Sequence, residues 1–297
     1  MVVGSAARDV AADDPRGWRL GGGAAYGSLT LARLGVRTAC LLGVDEPAAT
    51  AAELDVLRAA GVQLQLVPLV RGPIFENVET PTGRRQTCHS TSDPIPTSVL
   101  PEAWASAHAF LLAPVADEVP QAWATLPQAG ATVALGWQGL LRDLGSGQRV
   151  RKRPPAEAPL LRRADIVGLS PEDVTAETPI AALTVLLRGG ATLLLTRGPA
   201  GGLALVVGPD GEASRTVRFP AIPAAAIDPT GAGDIFLAAL LATRLRPRLA
   251  AHLGPRGDLR LAAAAAALGV EGEGLSGIAP AGRVIERAQG SVARPMA

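Results

Sequence analysis

The sequence predicts an α/β fold: a three-layer α/β/α domain around a mostly parallel sheet, with a small antiparallel β lid beside it. Continuous apolar runs alternate with helical patterns along most of the chain, as is typical of parallel strands buried on both faces. One region instead alternates polar and apolar residues, as antiparallel hairpins with one solvated face do. The 297 residues are enough to bury one large core. We therefore expect a single domain over residues 1–297, with a lid formed by about 10–20 and 62–92.

The predicted core elements follow one another in a regular order. Helical patterns cover residues 24–35, which end at Gly35, and residues 49–62. Glycine is the usual residue at the C-terminus of a helix. Parallel strands joined by such helices cross over with a right-handed sense. The apolar runs that predict buried strands are residues 2–6, 38–45, 107–114, 131–137, 164–170 and 191–198.

The predicted lid has the pattern of hairpins. Residues 62–69 ("VQLQLVPL") and 74–90 ("IFENVETPTGRRQTCHS") alternate polar and apolar side chains, and "TPTG" marks a turn within the second segment. Open α/β sheets bind ligands in the crevice at the carboxyl ends of their strands. We expect the lid to cover that crevice.

Composition excludes several classes of protein. With 28 basic and 27 acidic residues the net charge is +1, so we expect no nucleic-acid partner and no membrane partner. Lys152 is the only lysine, and the chain contains no P-loop motif. The three histidines have no metal-ligand spacing, and there is no G-x-S-x-G elbow of an α/β-hydrolase.

The cysteines and the apolar segments indicate in which cellular compartment the protein is found. Cys40 and Cys88 are far apart and form no C-x-x-C pair, which fits a reducing compartment. The first ten residues lack the basic flank and apolar stretch of a signal peptide. The longest apolar run, residues 261–270, is well short of the ~20 residues that a membrane-spanning helix needs. We expect a cytoplasmic protein.

The segment "DPTGAGD" (228–234) directly precedes an apolar helical pattern. Gly231, Ala232 and Gly233 leave the backbone N–H groups of the helix's first turn open to an anion such as a phosphate. Asp234 then stands beside an anion site, where a carboxylate is electrostatically unfavourable. The position of Asp234 is explained if its carboxylate accepts the proton that a substrate hydroxyl loses as it attacks a phosphoryl group. The alternative is an ordinary helix-capping Asp after a glycine turn.

Here the chain resembles the ribokinase-like (PfkB) carbohydrate kinases, whose signature D-T-x-G-A-G-D it matches at 228–234 except at Pro229. The resemblance runs nearly end to end. Similar segments are "GSAARD" (4–9), "GGGAAYGSLTLARLG" (21–35), "LLGVDEPA" (41–48), "LLTRGPAGG" (194–202) and "AAAAAALGVEGEGLSGIAP" (262–280). The family fold is the α/β sheet plus lid described above.

The resemblance implies roles for individual residues. Asp234 is then the catalytic base, and Gly231, Ala232 and Gly233 form the anion hole for the transferring phosphoryl group. Asp9, Gly22 and Gly23 bind the substrate. The residues on the ATP side are Thr196, Gly198, Gly201 and Gly272.

The resemblance also implies a Mg²⁺ site and a site for a monovalent cation such as K⁺. Where the family often has N-x-x-E, this chain has Ser170 and Asp173, and Asp keeps the oxygen ligand that Mg²⁺ requires. A helix start capped by Ser170 explains the same residues equally well. Asp228 belongs to the stretch that helps hold a monovalent cation in the family, and Pro229 removes one backbone donor beside it.

The residues expected to bind the phosphate acceptor differ most from those of the family. Tyr26 stands where many of its sugar kinases have Asn, which suggests a different polyol or a flatter substrate. The segments "FENVETPTGRRQ" (75–86) and "QGLLR" (138–142) resemble the subgroup that includes myo-inositol kinases. Arg84 or Arg85 in the lid and Gln138 at a strand end are then candidate substrate contacts.

We therefore expect an ATP- and Mg²⁺-dependent kinase that phosphorylates a hydroxyl of a small sugar or polyol, with inositols among the candidates, as a monomer or homodimer. A nucleoside kinase of the same fold is one alternative, and a non-catalytic binding or regulatory protein is another. A dinucleotide-dependent oxidoreductase would need G-x-G-x-x-G between a strand and a helix, which residues 21–23 do not supply.

Overall fold

A computed structural model of the protein describes residues 1–80 and 83–290. The strands are β1 (Val2–Ser5), β2 (Ala7–Val10), β3 (Trp18–Gly21), β4 (Ala39–Val44), β5 (Gln63–Pro68), β6 (Ile74–Thr80), β7 (Gly83–Ser90), β8 (Ala109–Leu112), β9 (Thr132–Gly136), β10 (Arg142–Asp143), β11 (Gln148–Arg149), β12 (Arg151–Lys152), β13 (Ile166–Leu169), β14 (Thr192–Thr196), β15 (Gly202–Val207) and β16 (Ala213–Phe219). The α-helices are α1 (Gly23–Arg33), α2 (Glu53–Ala59), α3 (Glu102–Ala105), α4 (Pro159–Arg163), α5 (Ile180–Thr184), α6 (Ala232–Leu245), α7 (Gly257–Val270) and α8 (Ala281–Gly290).

The main sheet of the described residues has nine strands in the order β16-β15-β14-β13-β9-β8-β1-β4-β5. Strands from β14 to β5 in this order pair in parallel, whereas β14, β15 and β16 form an antiparallel meander at one edge. Each predicted buried strand forms part of this sheet. The mostly parallel α/β fold is therefore confirmed.

Two apolar layers cover the sheet. On one face α1, α6 and α7 pack together, and residues 235–243 of α6 are all buried. A helix that is apolar on every side is one that is covered on every side. The other face is filled around Trp123 and Trp137, with α4 packed against it. In the described part of the chain, no helix has both the length and the apolar character to cross a bilayer.

The second sheet is separate and has the strand order β11-β7-β6-β2-β3. Its pairs are antiparallel except β2 with β6, which run parallel. The predicted hairpin in 74–90 is the β6–β7 hairpin, and β3 overlaps the predicted 10–20 segment. Residues 81–82 of the predicted "TPTG" turn lie outside the described residues.

The assignment of residues 62–69 to the lid is wrong. Gln63–Pro68 forms β5, which pairs in parallel with β4 at the edge of the main sheet. An edge strand is less completely covered than a central one, and Gln63 and Pro68 are indeed exposed. Its alternating pattern therefore looks like that of a half-solvated hairpin.

Ionic contacts hold the β2–β3 hairpin against the main domain. Arg8 on β2 donates through Nε and Nη2 to Asp45 Oδ2, at 3.0 and 2.7 Å, and Asp45 directly follows β4. Arg16 pairs with Glu53 of α2 at 2.6 Å. The guanidinium groups of Arg8 and Arg16 both lie over the Trp18 ring. This hairpin is thus joined to β4 and α2.

Candidate active site

A cavity of about 390 Å³ opens at the carboxyl ends of the main-sheet strands, under the second sheet. Residues that end or follow β9, β13 and β14 line one part, residues of β2, β6 and β7 line another, and the N-terminus of α6 closes one side. This is where open α/β folds bind ligands. The predicted site residues that line it are Asp9, Gly22, Gly23, Tyr26, Gln138, Ser170, Asp173, Thr196, Gly198, Gly231, Ala232, Gly233 and Asp234.

The loop before α6 presents its backbone to this cavity. Gly231 has a φ of 77°, in the left-handed region that favours glycine, and turns the chain into the 14-residue helix. A Cβ built on Gly233 would have Thr196 Oγ1 as its nearest neighbour, at 4.0 Å. The first N–H groups of a helix have no intrahelical partner and carry partial positive charge. The start of α6 can therefore bind an anion beside Thr196.

Asp234 lies in the first turn of α6, with its carboxylate against the glycine segment. A Cβ on Gly23 would lie 2.7 Å from Asp234 Oδ1. Burial raises the pKa of Asp234 to about 7; the Arg142 guanidinium opposes this shift, while the Asp173 and Asp9 carboxylates add to it. A carboxyl group that titrates near neutrality suits a general base.

The glycine segment makes room for both carboxylates. A side chain on Gly21 would overlap Asp9 Oδ2. Gly22 has a φ of 96°, and a side chain there would overlap the carbonyl oxygen of Ser5. Gly21 and Gly23 thus place main chain where side chains would displace the acids, whereas Gly22 is required by its positive φ and by the nearby Ser5 carbonyl. This explains three consecutive glycines at the start of α1.

The segment after β13 is both a helix cap and an acidic wall of the cavity. Ser170 Oγ accepts the Glu172 N–H at 3.1 Å, and Asp173 Oδ2 accepts the Ser170 N–H at 2.8 Å, which is a capping box. Gln138 Nε2 donates to Asp173 Oδ1 at 3.1 Å. Glu172 and Asp173 both line the cavity and supply the hard oxygen atoms that Mg²⁺ prefers. The two carboxylates fit the predicted metal.

Asp228 lines a second, adjoining cavity of about 290 Å³. Its Oδ1 accepts the Thr230 N–H at 2.9 Å, and its Oδ2 accepts the Gly274 N–H at 3.0 Å. The carboxylate therefore joins the loop before α6 to the loop after α7. Over residues 1–80 and 83–290, no three His, Cys, Asp or Glu side chains are grouped as a metal site.

The Tyr26 ring is buried and does not form an open surface on which a ligand could stack. It is 2% exposed, and a Cβ on Gly231 would lie 2.6 Å from its ring carbons. A Cβ on Gly274 would lie 4.0 Å from its hydroxyl. The ring thus packs beneath the turn at Gly231 that leads into α6 and supports it from below.

Three predicted site residues lie away from both cavities. Arg85 is exposed on β7, because neighbouring residues of a strand face opposite sides and Gln86 is the one that faces the cavity. Gly201 packs on the carbonyl of Phe219, and Gly272 packs on Gly277. These two glycines allow close main-chain approaches. The side chain of Arg84 lies outside the described residues.

Sequence reasoning did not single out several residues that line the cavity. Arg142 donates through Nη1 to the Val115 carbonyl at 3.0 Å and lies over the Phe75 ring, 5.2 Å from its centroid. Phe75, Asn77 and Gln86 belong to the segment that resembles inositol kinases, and Arg142 ends the "QGLLR" segment, so the motifs contained the signal without identifying the residues. The unpredicted residues that line the cavity include Phe75, Asn77, Gln86, Val115, Arg142 and Glu172.

This combination of a mostly parallel sheet and a separate small sheet, with a cavity lined by both, is that of the ribokinase-like class of fold. Residues 163–281, which include the whole of α6 and α7, match the sequence model of the pfkB family carbohydrate kinases. The resemblance to the PfkB carbohydrate kinases is thereby confirmed. No curated protein matches the sequence.

Solved structures support the same fold over nearly the whole chain. A pyrophosphate-dependent kinase of the ribokinase family, complexed with a pyrophosphate analogue and myo-inositol, is 18% identical with a TM-score of 0.73, covering 97% of this chain and 98% of that one. Ribokinase from Thermotoga maritima is 15% identical with a TM-score of 0.65, covering 96% and 98%. Arabidopsis thaliana ribokinase complexed with ribose and ATP is 19% identical with a TM-score of 0.65, covering 97% and 98%.

Proposed function

We propose that the protein is a carbohydrate kinase that transfers the γ-phosphoryl group of ATP to a hydroxyl of a small sugar or polyol, with inositols among the candidate acceptors. The position of Asp234 is the observation that supports this most directly. Its carboxyl group titrates near neutrality and lies in the first turn of the helix whose N–H groups form the anion site. A proton acceptor beside an anion site is what phosphoryl transfer to a hydroxyl requires.

On the acceptor side, Asp9 accepts hydrogen bonds from hydroxyl groups and holds the ring near Asp234. The Asp234 carboxylate takes the proton of the attacking hydroxyl as the new oxygen–phosphorus bond forms and the bridging bond of the donor breaks. Arg142 lies in the same wall and favours the ionised form of Asp234. Most of the acceleration then comes from positioning and charge stabilisation.

On the donor side, the N–H groups at 231–233 and the Thr196 hydroxyl bind the phosphates. Glu172 and Asp173 would hold Mg²⁺ at the edge of the cavity. The ion, when bound, offsets negative charge on the donor and on the transferring group. Gly201 and Gly272 contribute to the donor side through the close main-chain approaches that they permit. We also propose that a K⁺ ion binds near Asp228.

Pyrophosphate is a second candidate donor. Several of the similar structures are pyrophosphate-dependent kinases, and one of these is complexed with myo-inositol. An anion site built from backbone N–H groups would bind the phosphates of either donor. A nucleoside acceptor is less well supported, because the buried Tyr26 ring offers no free face for a base to stack on.

A donor-by-acceptor assay tests the proposal. Wild-type protein is mixed with Mg²⁺ and either ATP or pyrophosphate, and with ribose, fructose, myo-inositol or adenosine, and products are followed by ³¹P NMR. We expect phosphate transfer to at least one sugar or polyol, and its loss in Asp234→Asn. Absence of transfer from both donors to every acceptor would support the non-catalytic alternative. Repeating the best reaction in KCl and in choline chloride tests the monovalent cation.

A further inference from the structure

Glu118 and Arg142 bind opposite ends of the same peptide group. Glu118 Oε2 accepts the Ala116 N–H at 2.7 Å, and Arg142 Nη1 donates to the Val115 carbonyl oxygen at 3.0 Å. That N–H and that carbonyl belong to the one peptide unit that joins Val115 to Ala116. Because a trans peptide is planar, its N–H and its C=O point in opposite directions. The contact with Glu118 therefore fixes the direction in which the carbonyl points.

The loop after β8 holds the Glu118 side chain against its own main chain. Asp117 has a φ of 61°, which turns the chain just before Glu118. Glu118 Oε2 also accepts the Val115 N–H at 3.0 Å, and Oε1 accepts the Ser5 N–H at 2.9 Å. Burial raises the pKa of Glu118, and these N–H groups oppose that shift. Since all of these partners are donors, the ionised carboxylate is the form that fits them.

Arg142 depends on the same loop for its place in the cavity wall. Its side chain is largely buried, and its guanidinium lies over the Phe75 ring, 5.2 Å from the centroid. The turn before it rests on the loop as well, since a Cβ on Gly139 would overlap the carbonyl oxygen of Pro114. If the peptide after Val115 rotated, it would present an N–H in place of its carbonyl, and the guanidinium would be displaced.

The guanidinium acts in turn on Asp234. Asp234 is affected by the charges of Arg142, Asp173 and Asp9, and of these three only Arg142 favours the ionised carboxylate. Arg142 also favours the thiolate of the buried Cys88. Hydrogen-bonded groups in a buried site polarise one another. The negative charge of one buried carboxylate is thus linked, through a peptide and a guanidinium, to the carboxylate in the cavity.

We propose that Glu118 is a positioning residue: through the Val115–Ala116 peptide it holds the Arg142 guanidinium where it stabilises the Asp234 carboxylate. Glu118 itself is not among the residues that line the two cavities described above. Its consequence for the rate rests on the proposed kinase function, whereas its effect on the ionisation of Asp234 does not.

The test is a double-mutant cycle that follows the titration of Asp234. Glu118→Gln keeps the shape of the side chain and replaces one acceptor oxygen with an NH₂ group, which cannot accept an N–H. The exchange is made in wild-type protein and in Arg142→Leu. The matched control is Asp117→Asn at the exposed neighbouring position, because Asn also tolerates the left-handed conformation.

Two measurements are made on each variant. The first is ¹³C NMR of the aspartate carboxyl carbons as a function of pH, in which the signal missing from Asp234→Asn identifies this residue. The second is the pH dependence of kcat/KM with an acceptor that the wild-type protein phosphorylates. The first measurement needs no turnover, so it separates the positioning role from the kinase function.

In Glu118→Gln the titration midpoint of Asp234 should move to higher pH by roughly one unit, because a close cation lowers the pKa of a carboxyl group by about 1–3 units. On the acidic limb this is a loss of about tenfold in kcat/KM. In the Arg142→Leu background the same exchange should not move the midpoint further, and Asp117→Asn should leave it in place. Glu118→Asp keeps the charge with a shorter reach and should give an intermediate midpoint, so it carries the test if Glu118→Gln does not fold.

An unmoved midpoint in a folded Glu118 variant, or an equal shift with and without Arg142, overturns the proposal. A shifted NMR titration in a protein that turns over no acceptor supports the positioning role and refutes the kinase function. Turnover with an unmoved midpoint has the opposite meaning.

Discussion

Gly23 at the start of α1 and Asp234 at the start of α6 are so close that a Cβ on Gly23 would lie 2.7 Å from Asp234 Oδ1. Real Cβ atoms essentially never come this near to an oxygen, so the carboxylate or the helix would have to move. The position of the Asp234 carboxylate thus depends on the absence of a side chain 211 residues earlier in the chain.

Gly23→Ala should lower kcat by roughly 10- to 100-fold, because a displacement of about 1 Å at a catalytic group costs about that much. Its effect on the melting temperature should be small by comparison. The matched control is Gly282→Ala on α8, where a Cβ would meet nothing within 4 Å, and which should leave kcat unchanged. Equal kcat for Gly23→Ala and wild type would show that the carboxylate is not held by this contact.

Asp234→Asn should lower kcat by about 10²–10⁴, the usual contribution of a general base. The affinity for a non-hydrolysable ATP analogue, measured by calorimetry, should stay the same or become slightly tighter, because a negative charge beside the phosphates is removed. If Asp234 were only a helix cap, Asp234→Asn should leave kcat nearly unchanged, since Asn caps a helix as well as Asp does. Near wild-type turnover in this variant would end the assignment of the base.

The rate should depend on pH through Asp234. Because its pKa is about 7 and only the ionised carboxylate accepts a proton, kcat/KM should rise as the pH increases through that value. Arg142→Leu removes a cation that favours the carboxylate, so the pKa rises and the acidic limb should move to higher pH. Arg151→Leu, on the exposed strand β12, is the control and should leave the profile in place. A profile that is flat between pH 5 and 9 in wild-type protein contradicts this role.

Glu118 should make a large contribution to stability. Its buried carboxylate accepts the N–H groups of Ser5 at 2.9 Å, Val115 at 3.0 Å and Ala116 at 2.7 Å, which joins the end of β1 to the loop after β8. Glu118→Ala leaves these donors without a partner and should lower the free energy of unfolding by about 3 kcal/mol.

Urea denaturation measures the effect, and Asp117→Asn is the neighbouring control. Asp117 is exposed and pairs with Arg153 at the surface, so its loss should cost less than about 1 kcal/mol. A similar small loss for Glu118→Ala would mean that water replaces the carboxylate at these N–H groups.

Local patterns were enough to predict the mostly parallel sheet and the glycine turn that leads into α6. Each of these depends on neighbouring residues, as when Gly231 turns the chain directly into α6. The assignment of 62–69 to the lid failed because an edge strand and a hairpin strand share one alternating pattern. Glu118 could not be found, because its role depends on a contact with Ser5, 113 residues away.

The lid segment that resembles the inositol kinases contains both Arg85 and Gln86, and of the two only Gln86 lines the cavity. Arg85 and Gln86 are adjacent, and a shift of one position along a strand exchanges the two faces of a sheet. The sequence alone does not define the register of the β6–β7 hairpin closely enough to separate them. Tyr26 shows a similar limit, since its place under Gly231 depends on how α1 and α6 pack.

The second sheet is assembled from separate parts of the chain: residues 7–21, 74–90 and 148–149. It cannot form as an autonomous unit during synthesis, because β2 must wait for β6 to emerge, more than 60 residues later. Pairings of such long range close slowly, since chain entropy is lost before any contact compensates for it. The cover of the cavity is therefore complete only once residues 148–149 have been synthesised, and a fragment ending before residue 74 would leave β2 and β3 with an open edge prone to association with other chains.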